Sequence, residues 1–207
     1  SIIELITSGG IGGNLVMGTL GILSIFAIYI LIERYSTIKK ASKEDKSFLK
    51  SIQNFVEAKD IEAAKTLCKN TDSPISRMIE KGVNRIDKPM TDISAAIENQ
   101  GKLEVFKMEN NLANLATISG AAPMIGFLGT VIGMIVAFHE MASAGGNIDV
   151  AMLSQGIYTA MVTTVAGLVV GIVAFIAYNY LVSKIDKVVF MLEAKTTEFL
   201  DLLHHNE

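Results

Sequence analysis

Three long apolar runs interrupt an otherwise polar sequence. They extend from about Ile11 to Ile32, from about Leu112 to Phe138 and from about Ile157 to Val182, and none contains Asp, Glu, Lys or Arg. Each exceeds the roughly 20 residues that an α-helix needs to cross a hydrocarbon core of about 30 Å. The alternative is three buried helices in a soluble core, but a chain of 207 residues is too short to surround them. The pattern therefore predicts three transmembrane helices. The first run has no basic segment before it and is too long for a signal-peptide core.

The basic residues predict how the spans are oriented. Of 18 Lys and Arg residues, fifteen lie between Arg34 and Lys107, and the rest follow the third run. Because Lys and Arg near span ends remain in the cytoplasm, the polar segment and the tail are expected there. The predicted division is a periplasmic N-terminus 1–10, transmembrane helices 11–33, 112–140 and 157–182, a cytoplasmic helical domain 34–111, a periplasmic loop 141–156 and a cytoplasmic C-terminal helix 183–207.

The polar segment 34–111 has the start and stop signals of helices. Asp60 is placed to cap a helix that Asn70 ends, and Ser73 before Pro74 has the form of an N-cap with proline in the first turn. Charges of both signs are interspersed, which is typical of a solvated helical bundle.

Two helices are expected to extend the second and third spans into the cytoplasm. One starts at Thr91 or Asp92, after a break at Lys88-Pro89, and is expected to run into the second span. The other continues the third span as an apolar stripe at spacings of three and four. The stripe comprises Ile185, Val188, Val189, Leu192, Thr196, Phe199 and Leu203. It is compatible with packing on segment 34–111 and with packing between subunits. The predicted fold class is an all-α membrane protein, with long cytoplasmic helical extensions and a helical cytoplasmic domain.

Small residues and hydroxyls concentrate in the second and third spans. Small faces let helix backbones approach closely in lipid, so tight packing is the simplest role for the glycines. Pro123 removes a backbone hydrogen bond, frees the carbonyl of Ser119 and predicts a kink. A single membrane threonine usually bonds its own helix, but several shared between two glycine-rich spans favour a polar-lined interface. The packing candidates are Pro123, Gly126, Gly129, Gly133, Gly167 and Gly171, and the polar-lining candidates are Ser119, Thr130, Thr159, Thr163 and Thr164.

No Asp, Glu, Lys, Arg or His lies within the second or third apolar run, and His139 lies only at an outer end. Ion-coupled transport usually requires an ionisable group in the membrane, so a partner must supply it if this chain lines a proton path. Nothing in the sequence predicts a catalytic residue, a metal site or a cofactor. Cys68 is interpreted as a reduced, non-catalytic thiol and His204-His205 as solvated. The net charge of −3 and the absence of Trp argue against nucleic acid as a partner.

Two segments resemble the signature of a known family. They are ATISGAAPMIGFLGTVIGM, from Ala116 to Met134, and GIYTAMVTTVAGL, from Gly156 to Leu168, and both are similar to the ExbB/TolQ/MotA proton-channel family. The three-span layout with an outer N-terminus is similar to the ExbB/TolQ branch. The resemblance implies a homopentamer in a bacterial inner membrane, with its second and third spans around a dimeric ExbD- or TolR-like partner. That partner carries the proton-binding aspartate, and Thr130 and Thr164 match the family threonines that face it.

The implied function is an ExbB-like subunit of a motor driven by the proton-motive force. Through a TonB-like protein, the motor energises TonB-dependent outer-membrane transport. TolQ-like, gliding and flagellar-type stator roles remain open, as do a non-conducting membrane scaffold and sodium as the coupling ion. One position departs from the family pattern: a glutamate usually stands five residues before the threonine matched by Thr164, and here that position is Thr159. We expect a polar, water-bearing path that tolerates Thr159.

Overall fold

The computed structural model describes residues 10–43, 46–143 and 150–205. These ranges contain helices and no strand, as predicted. The helices are α1 (Gly10–Ala41), α2 (Lys46–Glu57), α3 (Ile61–Asn70), α4 (Pro74–Val83), α5 (Met90–Glu109), α6 (Leu112–Ser143) and α7 (Val150–His205). Three stretches are long and apolar enough to cross a membrane, and they lie within Gly12–Ala41, Met90–Ser143 and Leu153–His204. The three predicted spans are therefore confirmed as helices of the required length and composition.

The helix that precedes the second span is interrupted, which corrects one expectation. α5 ends at Glu109 and α6 begins at Leu112, so the helix does not run on continuously. Asn111 between them has φ 63°, in the left-handed region that Asn tolerates better than most residues. Asn110 and Asn111, two successive asparagines, are the feature of the sequence that indicates this break.

The helices of the second and third spans extend into the predicted periplasmic loop 141–156, whose bounds stay a prediction. α6 continues to Ser143 and α7 already begins at Val150. Residues 144–149 lie outside the described ranges. The sidedness of this connection stays a prediction.

The chain divides into two compact units. The span unit comprises Ser1–Ile32 and Asn111–Tyr180, and the bundle unit comprises Glu33–Asn110 and Leu181–Glu207.

In the span unit, many large apolar side chains point outward and small residues are buried. Met124 is 72% exposed and Phe127 is 63% exposed, whereas Ala122 and Ala174 are fully buried. Outward-facing apolar side chains on this scale are expected where the surroundings are lipid or another membrane helix.

The bundle unit has a core of large apolar side chains, although Leu103, Phe106 and Phe190 are exposed. α2 packs on α3, α3 on α4 and α4 on α5. The predicted caps are present: Asp60 Oδ1 accepts a hydrogen bond from Ala63 N at 3.0 Å, and Ser73 and Ser76 form a reciprocal capping box at the start of α4. The core includes Phe48, Ile52, Ile79, Val83, Ile93, Ile97 and Phe199.

The apolar stripe on the C-terminal part of α7 belongs to this core. Its buried members are Ile185, Val188, Leu192, Phe199 and Leu203. A Cβ placed on Gly82 of α4 would lie 2.9 Å from Phe199 Cε1, so the absence of a side chain there admits the ring. This contact supports packing on segment 34–111 of the same chain, the first of the two options left open by the sequence.

A buried carboxylate joins α4 to α5. Glu104 is 2% exposed, accepts hydrogen bonds from Arg77 Nε at 3.0 Å and from Gln100 Nε2 at 2.8 Å, and pairs with Lys107 Nζ at 2.9 Å. Burial by itself raises the pKa of Glu104, but the hydrogen bonds and charges of Arg77 and Lys107 outweigh it and lower the pKa overall. The carboxylate is therefore ionised at neutral pH and fully partnered.

Cys68 is buried in α3. Burial, with a smaller contribution from the charge of Glu80, raises the pKa of its thiol to about 12. Because the thiolate is the reactive form, this environment agrees with the interpretation of Cys68 as a non-catalytic thiol.

Candidate functional site

The site begins with the close approach of α6 and α7. A Cβ on Gly126 would lie 2.6 Å from Thr163 O, and a Cβ on Gly167 would lie 2.5 Å from Ala122 O and 2.8 Å from Gly126 Cα. The obstructing atoms belong largely to the backbone and cannot rotate away. Gly171 meets Pro123 and Gly133 meets Ala160, so positions further along α6 contact positions nearer the start of α7, and the two helices pack antiparallel through their small faces, as small residues permit in lipid.

The other predicted packing residues lie on the same contact. A Cβ would lie 2.5 Å from Thr163 Oγ1 at Gly129, 2.8 Å from Ala160 Cβ at Gly133 and 2.5 Å from Pro123 Cγ at Gly171. In contrast, Gly120 has nothing within 4 Å of its added Cβ. Close packing therefore accounts for five of the small residues singled out from the sequence.

Pro123 lies inside α6, which continues through it. Proline cannot donate to the carbonyl of Ser119, so that oxygen loses its usual helical partner. A Cβ on Gly171 would lie 3.0 Å from Ser119 O and 2.7 Å from Pro123 Cδ. Glycine at 171 thus lets α7 close over both the proline ring and the freed carbonyl. The kink at Pro123 stays a prediction.

Three predicted hydroxyls meet between α6 and α7. Thr130 Oγ1 hydrogen-bonds Thr164 Oγ1 and lies 2.9 Å from Ala160 O. Thr163 Oγ1 lies 2.7 Å from Ala160 O and 3.1 Å from Gly126 O, and Thr164 Oγ1 lies 3.3 Å from Gly126 O. We call Thr130, Thr163 and Thr164 the hydroxyl cluster.

The hydroxyl cluster has proton arrangements with the Thr130–Thr164 hydrogen bond in either direction, because each hydroxyl has one proton to donate. In the first, Thr164 donates to Thr130, Thr130 donates to Ala160 O, and Thr163 donates to Gly126 O. In the second, Thr130 donates to Thr164, Thr164 donates to Gly126 O, and Thr163 donates to Ala160 O. Both arrangements satisfy every donor without moving a heavy atom. The direction of the Thr130–Thr164 hydrogen bond is therefore reversible.

Two predicted polar residues do not join the cluster. Thr159 Oγ1 donates within α7, with Gln155 O at 3.1 Å and Gly156 O at 3.0 Å, and Ser119 Oγ donates within α6 to Ala116 O at 2.7 Å. These two follow the common behaviour of a single membrane hydroxyl.

Burial separates the roles of the clustered threonines. Thr163 is only 3% exposed, whereas Thr130 and Thr164 are half-buried at the edge of the helix contact. Thr163 therefore fastens the two helices, and the Thr130–Thr164 pair is the part of the cluster that another molecule can approach.

Two backbone carbonyls at the site were not identified from the sequence. Gly126 O and Ala160 O each accept from cluster threonines across or along the helices. Each carbonyl precedes a cluster threonine by four residues on its own helix, namely Thr130 and Thr164. The four-residue spacing can be read from the sequence. The proximity of the two carbonyls, however, follows only from the packing of α6 against α7.

The site offers hydrogen-bond donors and acceptors and no ionisable side chain. Among the described residues, no group of three or more His, Cys, Asp or Glu is arranged to hold a metal ion. The cluster can pass a hydrogen bond from one oxygen to the next, but it cannot store a charge as a carboxylate does.

The fold and the site define a helical membrane protein built on a glycine-packed, hydroxyl-bearing helix pair. The sequence profile of the MotA/TolQ/ExbB proton channel family matches residues 70–194, which include α6 and the cluster residues of α7. The chain belongs to this family, as the sequence resemblance indicated.

Named relatives come from both the ExbB and the TolQ groups. The chain is 27% identical to a biopolymer transport ExbB homologue of Methanothermobacter thermautotrophicus, over 90% of this chain and 64% of that protein. It is 25% identical to the Tol-Pal system protein TolQ of Pseudomonas aeruginosa, over 97% of this chain and 91% of that protein. It is 40% identical to the biopolymer transport protein ExbB of Helicobacter pylori, over 38% of this chain and 54% of that protein. The chain thus spans less than two thirds of the length of two of these relatives.

Proposed function

We propose that this chain is the ExbB-like subunit of an inner-membrane motor driven by the proton-motive force. Five copies form a ring in which α6 and α7 surround the transmembrane helices of a dimeric ExbD- or TolR-like partner. The partner supplies the proton-carrying aspartate, and a TonB-like protein transmits the work to outer-membrane transport. The N-terminus lies in the periplasm, and the bundle unit and the C-terminus lie in the cytoplasm.

The observation that carries this proposal is the half-buried Thr130–Thr164 pair between glycine-packed helices whose apolar runs contain no Asp, Glu, Lys or Arg. A carboxylate on a neighbouring helix needs hydrogen-bond donors when it is ionised and an acceptor when it is protonated. A hydroxyl pair whose hydrogen bond reverses direction offers both. The packing of Gly126 against Gly167 holds this pair in a fixed position.

The energy released by each proton sets how many proton passages one mechanical step requires. One proton crossing 100 mV releases about 2.3 kcal/mol, so a demanding mechanical step needs several passages. Each passage alternates the partner aspartate between charged and neutral forms, which favours stepwise movement of the partner within the ring. Water in a polar path takes the place of the family glutamate at Thr159, whose hydroxyl bonds only its own helix among the described contacts.

The test replaces the hydroxyls while keeping side-chain shape. Thr130→Val and Thr164→Val should each abolish energised uptake in cells that depend on this chain, because the aspartate loses its donor and acceptor. The matched control is Thr117→Val, because Thr117 is an exposed threonine of α6 whose hydroxyl bonds Ala113 O of its own helix at 2.8 Å. It should retain uptake.

Assembly is measured in parallel by native mass spectrometry of the purified complex. All three variants should retain the wild-type subunit composition. Full uptake by the Thr130→Val and Thr164→Val variants would reject the proposed role and favour a non-conducting scaffold, in which α6 and α7 serve packing alone.

A further inference from the structure

A basic cavity lies in the bundle unit where α1 and α7 leave their apolar runs. It has a volume of about 160 Å³ and is lined by Tyr35, Ile38, Lys39, Ser42, Leu181, Lys184 and Lys187. Three lysines and no carboxylate line it among the described residues. This set, which we call the lysine pocket, is suited to an anion.

The floor of the lysine pocket is apolar. Ile38 is 3% exposed and Leu181 is fully buried, so both are fixed in the packing of the bundle unit. Lys39 lies over the ring of Tyr35, with Nζ 6.0 Å from the ring centroid. Cationic and hydroxyl groups around an apolar floor suit an amphiphilic ligand better than a free ion.

The position of the lysine pocket along its helices matches the headgroup zone of a bilayer. The apolar run of α1 ends at Ile32 and that of α7 at Val182, so the polar lining residues occupy the first turns beyond both runs. At about 1.5 Å per residue, Lys184 lies roughly 3 Å and Lys39 roughly 10 Å past those ends. Headgroups extend about 5–8 Å beyond the hydrocarbon on each side, and lysine stems bridge the remaining distance.

We propose that the lysine pocket binds the phosphodiester headgroup of an anionic phospholipid. The cavity is several times the roughly 30 Å³ that one water molecule occupies in the liquid, so a phosphate group fits. Lys39, Lys184 and Lys187 neutralise its charge, and Tyr35 and Ser42 offer hydroxyls. The bound lipid fastens the end of α1 to α7 at the membrane surface. The proposal requires only that the apolar runs span a membrane and is independent of proton conduction.

The test uses the full chain purified in a neutral detergent. Phosphatidylglycerol is added, and its retention is measured by native mass spectrometry alongside the thermal unfolding midpoint. Phosphatidylglycerol should be retained and should raise the midpoint, whereas phosphatidylcholine should do neither. Inorganic phosphate at the same concentration should leave the midpoint unchanged. Equal effects of phosphatidylcholine and phosphatidylglycerol, or an equal effect of inorganic phosphate, would overturn the proposal.

The triple variant Lys39→Gln/Lys184→Gln/Lys187→Gln should bind phosphatidylglycerol at least on the order of tenfold more weakly, because one lysine near an anionic headgroup contributes about fivefold. The matched control is Lys50→Gln/Lys81→Gln/Lys88→Gln, which removes the same charge from exposed lysines outside the pocket. It should bind like the wild type. Equal weakening in both triple variants would show attraction by net charge alone and would overturn the assignment to the lysine pocket. Unchanged binding in the first variant would do the same.

Discussion

The span unit and the bundle unit pack their helices through residues of different size. In the span unit, Gly126, Gly167 and Ala122 form the contact between α6 and α7, while Met124 and Phe127 point outward. The bundle unit places large apolar side chains in its core and most of its charged side chains outside, with Arg34 and Glu104 as buried exceptions. In water the burial of apolar surface drives helix association, whereas in lipid close contact and hydrogen bonds must do so.

The comparison also shows where each unit tolerates polar groups. The bundle unit buries a carboxylate, Glu104, only with two cations and an amide as partners. Among the described residues of the span unit, the buried polar side chains are hydroxyls, and they bond each other or backbone carbonyls. The apolar runs of α6 and α7 contain no Asp, Glu, Lys or Arg, so the hydroxyl cluster has to work without a charged side chain of this chain.

The largest effect is expected where the span unit cannot admit a single methyl group. Gly167→Ala places a Cβ 2.5 Å from Ala122 O and 2.8 Å from Gly126 Cα, so α6 and α7 must separate. We expect a loss of about 3 kcal/mol or more in the free energy of unfolding, at the upper end of overpacking costs. Resistance to unfolding by SDS in mixed micelles measures this.

The control for that variant is Gly120→Ala in α6, where the added Cβ meets nothing within 4 Å. It should be neutral or slightly stabilising, because alanine favours the helix. If the two variants unfold alike, the α6–α7 contact is not the source of stability in the span unit.

A smaller effect is expected at the buried carboxylate of the bundle unit. Glu104→Gln removes the charge that partners Arg77 and Lys107 and should lower the free energy of unfolding by about 2 kcal/mol, since one of the two cations is largely exposed. Glu98→Gln breaks an exposed pair with Lys102 and should cost less than about 0.5 kcal/mol. Chemical denaturation of both variants at neutral pH compares them directly.

The same pair of variants predicts a pH dependence. The pKa of Glu104 is lower in the folded chain than the ordinary value of 4.5, so its stabilisation is complete above that value. It is lost as the pH falls below 4.5 and through the folded pKa. Acid should therefore destabilise the wild type more than the Glu104→Gln variant. Parallel acid profiles would show that Glu104 does not titrate differently in the folded state.

Apart from the control variants, the smallest effect on stability is expected in the hydroxyl cluster. Thr130→Val keeps shape and packing and removes the interhelical hydrogen bonds of Thr130 with Ala160 O and Thr164 Oγ1, and such a bond in membranes averages about 0.6 kcal/mol. The SDS-unfolding measurement should therefore barely distinguish it from the wild type. A loss as large as that of Gly167→Ala would show that Thr130 is mainly structural, and its effect on uptake would then say nothing about protons.

The sequence predicted the span unit better than it predicted the contacts inside it. Composition alone located the three apolar helices, because only lipid tolerates runs of this length, and spacing identified the small faces later found in contact. The reversible hydrogen bond of Thr130 and Thr164 depends on the register of α6 against α7, which no local pattern contains. The different roles of Thr163 and Thr159 could not be predicted for the same reason, since both are threonines in one helix and differ only in their contacts with α6.

In the bundle unit, the sequence predicted local features such as helix caps, but it did not predict contacts between residues that are far apart in the chain. The caps at Asp60 and Ser73 follow from residue type and neighbours. The pairing of Arg77 with Glu104 crosses from α4 to α5, and nothing in the charge pattern distinguished Glu104 from the other acidic residues. The turn at Asn111 was missed because helix-forming residues on both sides suggested continuity.

The central claim is that the span unit provides hydroxyls and a partner chain provides the ionisable group. Proton flux into liposomes under an imposed potential tests it most directly, with the chain alone, with the ExbD- or TolR-like partner, and with a partner whose membrane aspartate is changed to asparagine. We expect flux only with the unmodified partner. Equal flux from the chain alone, or from the asparagine-bearing complex, would contradict the account.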